Sequence, residues 1–237
     1  MAALSFVGKK TDPAFLPALI ALLLSIALPL QILVVGSPIS HPDPERFAQL
    51  HLHDGFWWRA ILTFAYFPAV LLLHLLAQPA DRHFRTLFLA GFGLFLLGNG
   101  IDLLFRSVQF LVAHGIWAPQ MLDTADVTGR EAARSKILAF NEIAPAVGFC
   151  FSFLFAVGRG LMGAALLLER SKLRRLAGLA LVTTGLLNLI IALTAVPMFS
   201  HLAAVGPFYL WIWPIGLILV AMAAWGQGVN KTRDESQ

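Results

Sequence analysis

Apolar residues fill this chain in stretches long enough to cross a lipid bilayer, and polar residues mark the short intervals where it turns. A hydrocarbon core of about 30 Å needs about 20 helical residues. Six stretches reach that length, near residues 14–35, 56–77, 87–113, 137–168, 176–198 and 207–226. They take up well over half of the 237 residues and leave only short intervals between them. The pattern predicts an all-α fold: a six-transmembrane-helix bundle forming one integral membrane domain over residues 1–237, with no soluble domain.

The intervals carry signals of their own. Asp43-Pro44 has the form of an N-cap with proline at the first helical position, which predicts a short helix from Pro44 towards Asp54. Phe47 and Leu50 would give that helix an apolar side suited to lying on the membrane surface. In the interval 115–135, Thr128-Gly-Arg-Glu131 fits a capping box and predicts a fourth helix beginning near Gly129. Gln78–Arg85 and Glu169–Arg175 are short and basic, so they predict tight hairpins.

Composition agrees with this pattern. The chain is 58% hydrophobic and 13% charged, which excludes an ordinary soluble domain. Lys9 and Lys10 precede the first span as they would in a secretory leader. The apolar run Ala14–Val35 is longer than an h-region of about 7–15 residues, however, and no small-x-small cleavage site follows, which predicts a retained anchor. Cys150 stands among Phe149, Phe151 and Phe153 as an apolar filler, so no disulfide framework is expected. The pI of about 9.6 does not indicate nucleic acid as a partner, because the positive charge follows topology. Lys9, Lys10, Arg82, Arg85, Arg170, Lys172, Arg174, Arg175, Lys231 and Arg233 fall on one side of six alternating spans. Only Arg46, Arg130, Arg134 and Lys136 fall on the other. The positive-inside bias then predicts both termini in the cytoplasm, in a multi-pass protein of the cytoplasmic membrane. Trp57, Trp58, Trp117, Trp211 and Trp213 near the outer boundary, with Trp225 near the inner one, would form the aromatic belts.

The candidate chemistry lies inside the spans. Asn99, Asp102, Arg106 and Gln109 occupy an arc of about 80° on the third span. Asp102 and Arg106 are an i,i+4 pair. On the second span Arg59, Thr63, Tyr66 and His74 share a face, as do Thr184 and Asn188 on the fifth. Glu142 and Asn141 come early in the fourth. An ionised group in hydrocarbon costs at least about 2.5–3.5 kcal/mol, so these stripes are expected to face a shared interior. Asp102 is placed near mid-span, with Arg59, Arg106 and Glu142 in the outer half and formal charges that cancel. Arg159 is assigned to the inner boundary, where its side chain would snorkel. Pro68, Pro145 and Pro214 each free a carbonyl four residues earlier. A kink at Pro145 would open space beside Glu142.

These positions predict an outward-opening pocket that binds a polar or anionic headgroup. Arg59 and Arg106 supply forked donors, and Tyr66, Asn99, Asp102, Gln109, Asn141 and Glu142 line the site. Tyr66 and Pro145 are expected near its floor and His51 or His53 near its mouth. Packing of the same charges as a purely structural ion-pair network is the alternative. His51, Asp54 and His114 are the residues a metal would use. On a helix, though, His51 and His53 lie 200° apart and cannot chelate together, and no metal is expected. His74 is the sole histidine well inside a span, so a bis-histidine haem is excluded. No cofactor and no complete catalytic motif is found.

Leu166–Leu189, LLLERSKLRRLAGLALVTTGLLNL, resembles the basic hairpin of a bacterial family of six-helix membrane proteins known as domain-of-unknown-function family 4386. Glu142 and the polar third span are similar too, whereas the His-rich first outer loop departs from that pattern. The resemblance spans about a third of the chain and implies architecture without an activity. The expected function is therefore binding or translocation of a small polar or amphipathic molecule. Two alternatives are an enzyme on a lipid-like substrate, with Glu142 or Asp102 as general base and outer histidines holding a metal, and a subunit of a larger membrane complex.

Overall fold

The computed structural model describes residues 19–20, 22–23, 25–27, 41–79 and 81–234. Among these residues all regular structure is helical. Four helices are long and apolar enough to cross a membrane: Gly55–Leu76, Arg82–Asp123, Val127–Leu167 and Lys172–Leu193. The last helix, Gly206–Asp234, contains a shorter apolar stretch, Trp211–Trp225. Most of the predicted first span, together with Lys9 and Lys10, lies outside the described residues.

The helices are α1 (Pro44–Gln49), α2 (Asp54–Leu76), α3 (Arg82–Ser107), α4 (Ala118–Asp123), α5 (Val127–Leu167), α6 (Lys172–Leu193) and α7 (Gly206–Asp234). A π-helical stretch, Val108–Trp117, joins α3 to α4 without a break. Pro68, Pro145 and Pro214 all lie inside helices that continue through them.

Two helices are far longer than a bilayer requires. Arg82–Asp123 has 42 residues and α5 has 41. At about 1.5 Å per residue each spans roughly 60 Å, twice the hydrocarbon thickness. Both begin or end at the short connections between Leu76 and Arg82 and between Leu167 and Lys172, so the excess length projects from the opposite end, here termed the cap end. The interval 115–135 is therefore mostly helix, and the turn is confined to Thr124–Asp126. The predicted Thr128 cap is corrected as well. Asp126 caps α5, accepting from the backbone N–H of Thr128 at 3.1 Å and of Gly129 at 3.0 Å. Its carboxylate reaches two orphan amides at once, so the helix starts at Val127.

At α1, Asp43 caps as its sequence predicts, accepting from Glu45 N at 2.8 Å and Arg46 N at 3.1 Å. The Arg46 N–H bond, aided by Glu45, holds the Asp43 carboxyl below its ordinary 3.8. The helix does not lie on the bilayer as its apolar side implied. Phe47 is buried in a protein cluster with Ala113, Ala118, Met121, Ala133, Ile137 and Phe140. The projecting ends of the two long helices supply the apolar surface that lipid would otherwise have provided.

Within the bundle, α5 packs between α3 and α6 at backbone distance. A Cβ on Gly91 would lie 2.6 Å from the Gly158 carbonyl oxygen, and one on Gly163 would lie 2.6 Å from that of Gly178. Only glycine permits such approach, which brings the α5 side chains next to Gly158 directly against α3.

Candidate functional site: two clusters of buried charge

The cap-end cluster is built on α3 and its π-helical continuation. Arg106 Nε donates to Asp102 Oδ1 at 3.1 Å, and Arg106 Nη1 donates to Gln109 Oε1 at 2.8 Å. The paired side chains are 22% and 15% exposed. Gln109 is buried on the first turn of the π-helix, a feature that widens a helix and often marks functional sites. Arg59 on α2 is 8% exposed and lies within electrostatic range of Arg106. Asp102 lies roughly 25 Å along the helix from Arg85, and Arg106 roughly 31 Å.

The second cluster surrounds Arg159, which is 2% exposed. Arg159 Nη1 donates to Tyr209 Oη at 3.0 Å. Its guanidinium carbon lies 5.2 Å from the Phe95 ring centre, 5.7 Å from Phe155 and 5.5 Å from Trp213, so three aromatic rings surround the cation. Tyr66 packs edge-on to Trp213 at 5.2 Å and lies beside Arg159. His74 is buried, its ring 4.6 Å from Phe95 and within electrostatic range of Arg159. Residues of α2, α3, α5 and α7 thus meet at one point. Arg159 is about 12 Å along α5 from Leu167, and Phe95 about 15 Å along α3 from Arg85.

This overturns the boundary assignment of Arg159. Snorkelling requires a free path to water, and the close packing at Gly91–Gly158 removes it. Trp213 likewise leaves the predicted belt for the interior, whereas Trp58 and Trp211 are largely exposed, as belt residues are. The sequence did carry a signal for this site. Gly158, Gly160 and Gly163 flank Arg159, and such small residues mark a tight helix contact.

The other predicted site residues separate. Asn99 is buried and donates to its own helix at the Phe95 carbonyl, 2.7 Å away. Tyr66 belongs to the central cluster. Asn141 Nδ2 donates to the His41 carbonyl at 3.0 Å, tying the cap segment to α5 without lining a pocket. Glu142 is exposed, and no polar partner is recorded for it among the described residues. It stands about 37 Å along α5 from Leu167. Pro145 is exposed too and forms no floor. The four charges expected to cancel are thus reduced to Arg59, Asp102 and Arg106.

The metal candidates do not assemble. His51 Nδ1 bonds to the Ala48 carbonyl, and His114 is stacked on Phe47 at 4.1 Å and edge-on to Phe56 at 4.5 Å. Among the described residues no three His, Cys, Asp or Glu side chains gather as a metal requires. A groove of about 230 Å³ between α5 and α6 is walled by apolar residues including Phe153, Val157, Val182 and Leu186, and none of the charged residues borders it.

Compared with known protein families, with curated proteins and with solved structures, the chain matches none.

Proposed function

We propose that this chain is a six-span protein of the cytoplasmic membrane, termini inside, whose cap end faces outward and binds the anionic group of a small polar or amphipathic molecule. One observation carries this reading: Arg59 and Arg106 are drawn together at the cap end with Asp102 as the only recorded carboxylate partner among the described residues. Two guanidinium groups against one carboxylate leave a positive surplus in a poorly solvated place. A buried charge without a counter-charge is costly, and an incoming anion relieves that cost. Arginine also offers paired donors that match a carboxylate or phosphate. The surplus favours an anionic group over a zwitterionic or neutral one.

Three probes sharing one tail separate charge from hydrophobicity. Octyl phosphate, octyl phosphocholine and octyl glucoside are titrated against the full chain in nanodiscs. Affinity should fall in that order. Equal affinity for all three would refute the reading.

A further inference from the structure

The Arg159 enclosure stands apart from the cap-end site and holds unmet bonding capacity where it is most expensive. Arginine carries five N–H donors, and Arg159 uses them on the hydroxyls of Tyr209 and Tyr66, which leaves donors over. No carboxylate forms an ion pair with Arg159 among the described residues, and Asp102 is bonded to Arg106. Two further buried atoms close by have no partner among the described residues, Nε2 of His74 and Nε1 of Trp213. Nδ1 of His74 lies 2.7 Å from the Val70 carbonyl, which assigns the ring proton to Nδ1 and leaves Nε2 as an acceptor. Trp213 Nε1–H is a donor only.

Buried polar atoms are almost always satisfied, by protein or by an enclosed water. Water alone would serve the atoms but not the charge. The aromatic faces around Arg159 offset part of that charge, yet each such contact contributes only about 0.5–2 kcal/mol. A buried guanidinium therefore retains a call for negative charge.

We infer that the Arg159 enclosure is a binding site for one small monovalent anion and an accompanying water. The anion accepts from Arg159 and Trp213, and the water accepts a place beside it and donates to His74 Nε2. Phe95 and Phe155 have no donors to replace the hydration shell of a divalent anion, so a weakly hydrated monovalent ion is favoured.

Bromide tests this directly, because its anomalous scattering locates it. Crystals of the full chain soaked in sodium bromide should show an anomalous peak within hydrogen-bond reach of the Arg159 guanidinium. A scattering peak there without anomalous signal would mean water only and would overturn the proposal, whatever is found beside Arg59 and Arg106. In solution, bromide replacing methanesulfonate at constant ionic strength should raise the melting temperature of the chain. Trp213→Phe keeps the ring and removes the donor, and Arg159→Gln removes the charge. Each should weaken the bromide effect, Arg159→Gln by about ten- to a hundredfold in affinity. If Arg159→Gln does not fold, Trp213→Phe alone decides. An unchanged bromide response in a folded variant would refute the site.

Discussion

The cap-end and central clusters each hold a buried arginine, but they are assembled in opposite ways. At the cap end the Asp102–Arg106 pair and Gln109 lie on one continuous helix, three and four residues apart. At the centre, Arg159 depends on Phe95, Tyr66, Tyr209 and Trp213 from three other helices. The first arrangement is local and survives small shifts in packing. The second exists only while α3, α5 and α7 stay in register. At the cap end Arg106 is matched by a carboxylate, whereas the central Arg159 meets ring faces and phenol oxygens.

That contrast gives the mutations an order. Asp102→Ala has the largest expected effect, because it leaves Arg106 half-enclosed without its counter-charge beside Arg59. Breaking a buried pair from one side typically costs about 3–5 kcal/mol, and the low end applies to these partly exposed groups. Asp102→Ala/Arg106→Ala should melt at a higher temperature than Asp102→Ala alone. Additive losses would show that the pair does not act as a unit.

Gly158→Ala probes the central region without touching a charge. The new Cβ would meet the Gly91 carbonyl oxygen at 2.7 Å, so α3 and α5 must separate. Overpacking of this kind costs about 1–3 kcal/mol. Trp213 fluorescence should shift as the enclosure loosens, while the cap-end pair stays intact. A loss of stability with unchanged emission would mean that the Arg159 enclosure does not depend on this contact.

Glu142→Gln should do least. An exposed side chain with no recorded partner falls in the class of surface changes within about 0.5 kcal/mol. A larger drop in melting temperature would return Glu142 to the charged interior.

Much of this architecture was legible in the sequence, and the reasons for the exceptions are physical. The spans 56–77 and 176–198 appear as α2 and α6 because uninterrupted apolar runs leave a helix little choice. Asp102 and Arg106 were visible as a pair because helical spacing is fixed by the backbone. Arg159 was not, since Tyr66, Phe95, Arg159, Tyr209 and Trp213 come from four helices and no sequence spacing joins them. Glu142 was misplaced for a different reason. Its place just inside the apolar stretch 137–168 predicts a buried carboxylate, but α5 exceeds that stretch, runs to about 60 Å and presents Glu142 on an exposed face. The same excess buries Phe47 in protein instead of lipid.

Anion binding at the cap end rests on its positive surplus, and Arg59 is the most direct handle on it. Octyl phosphate binding should weaken about ten- to a hundredfold in Arg59→Gln, the loss of one charged hydrogen-bond partner, while octyl glucoside binding stays unchanged. Equal octyl phosphate affinity in wild type and a folded Arg59→Gln would contradict the claim.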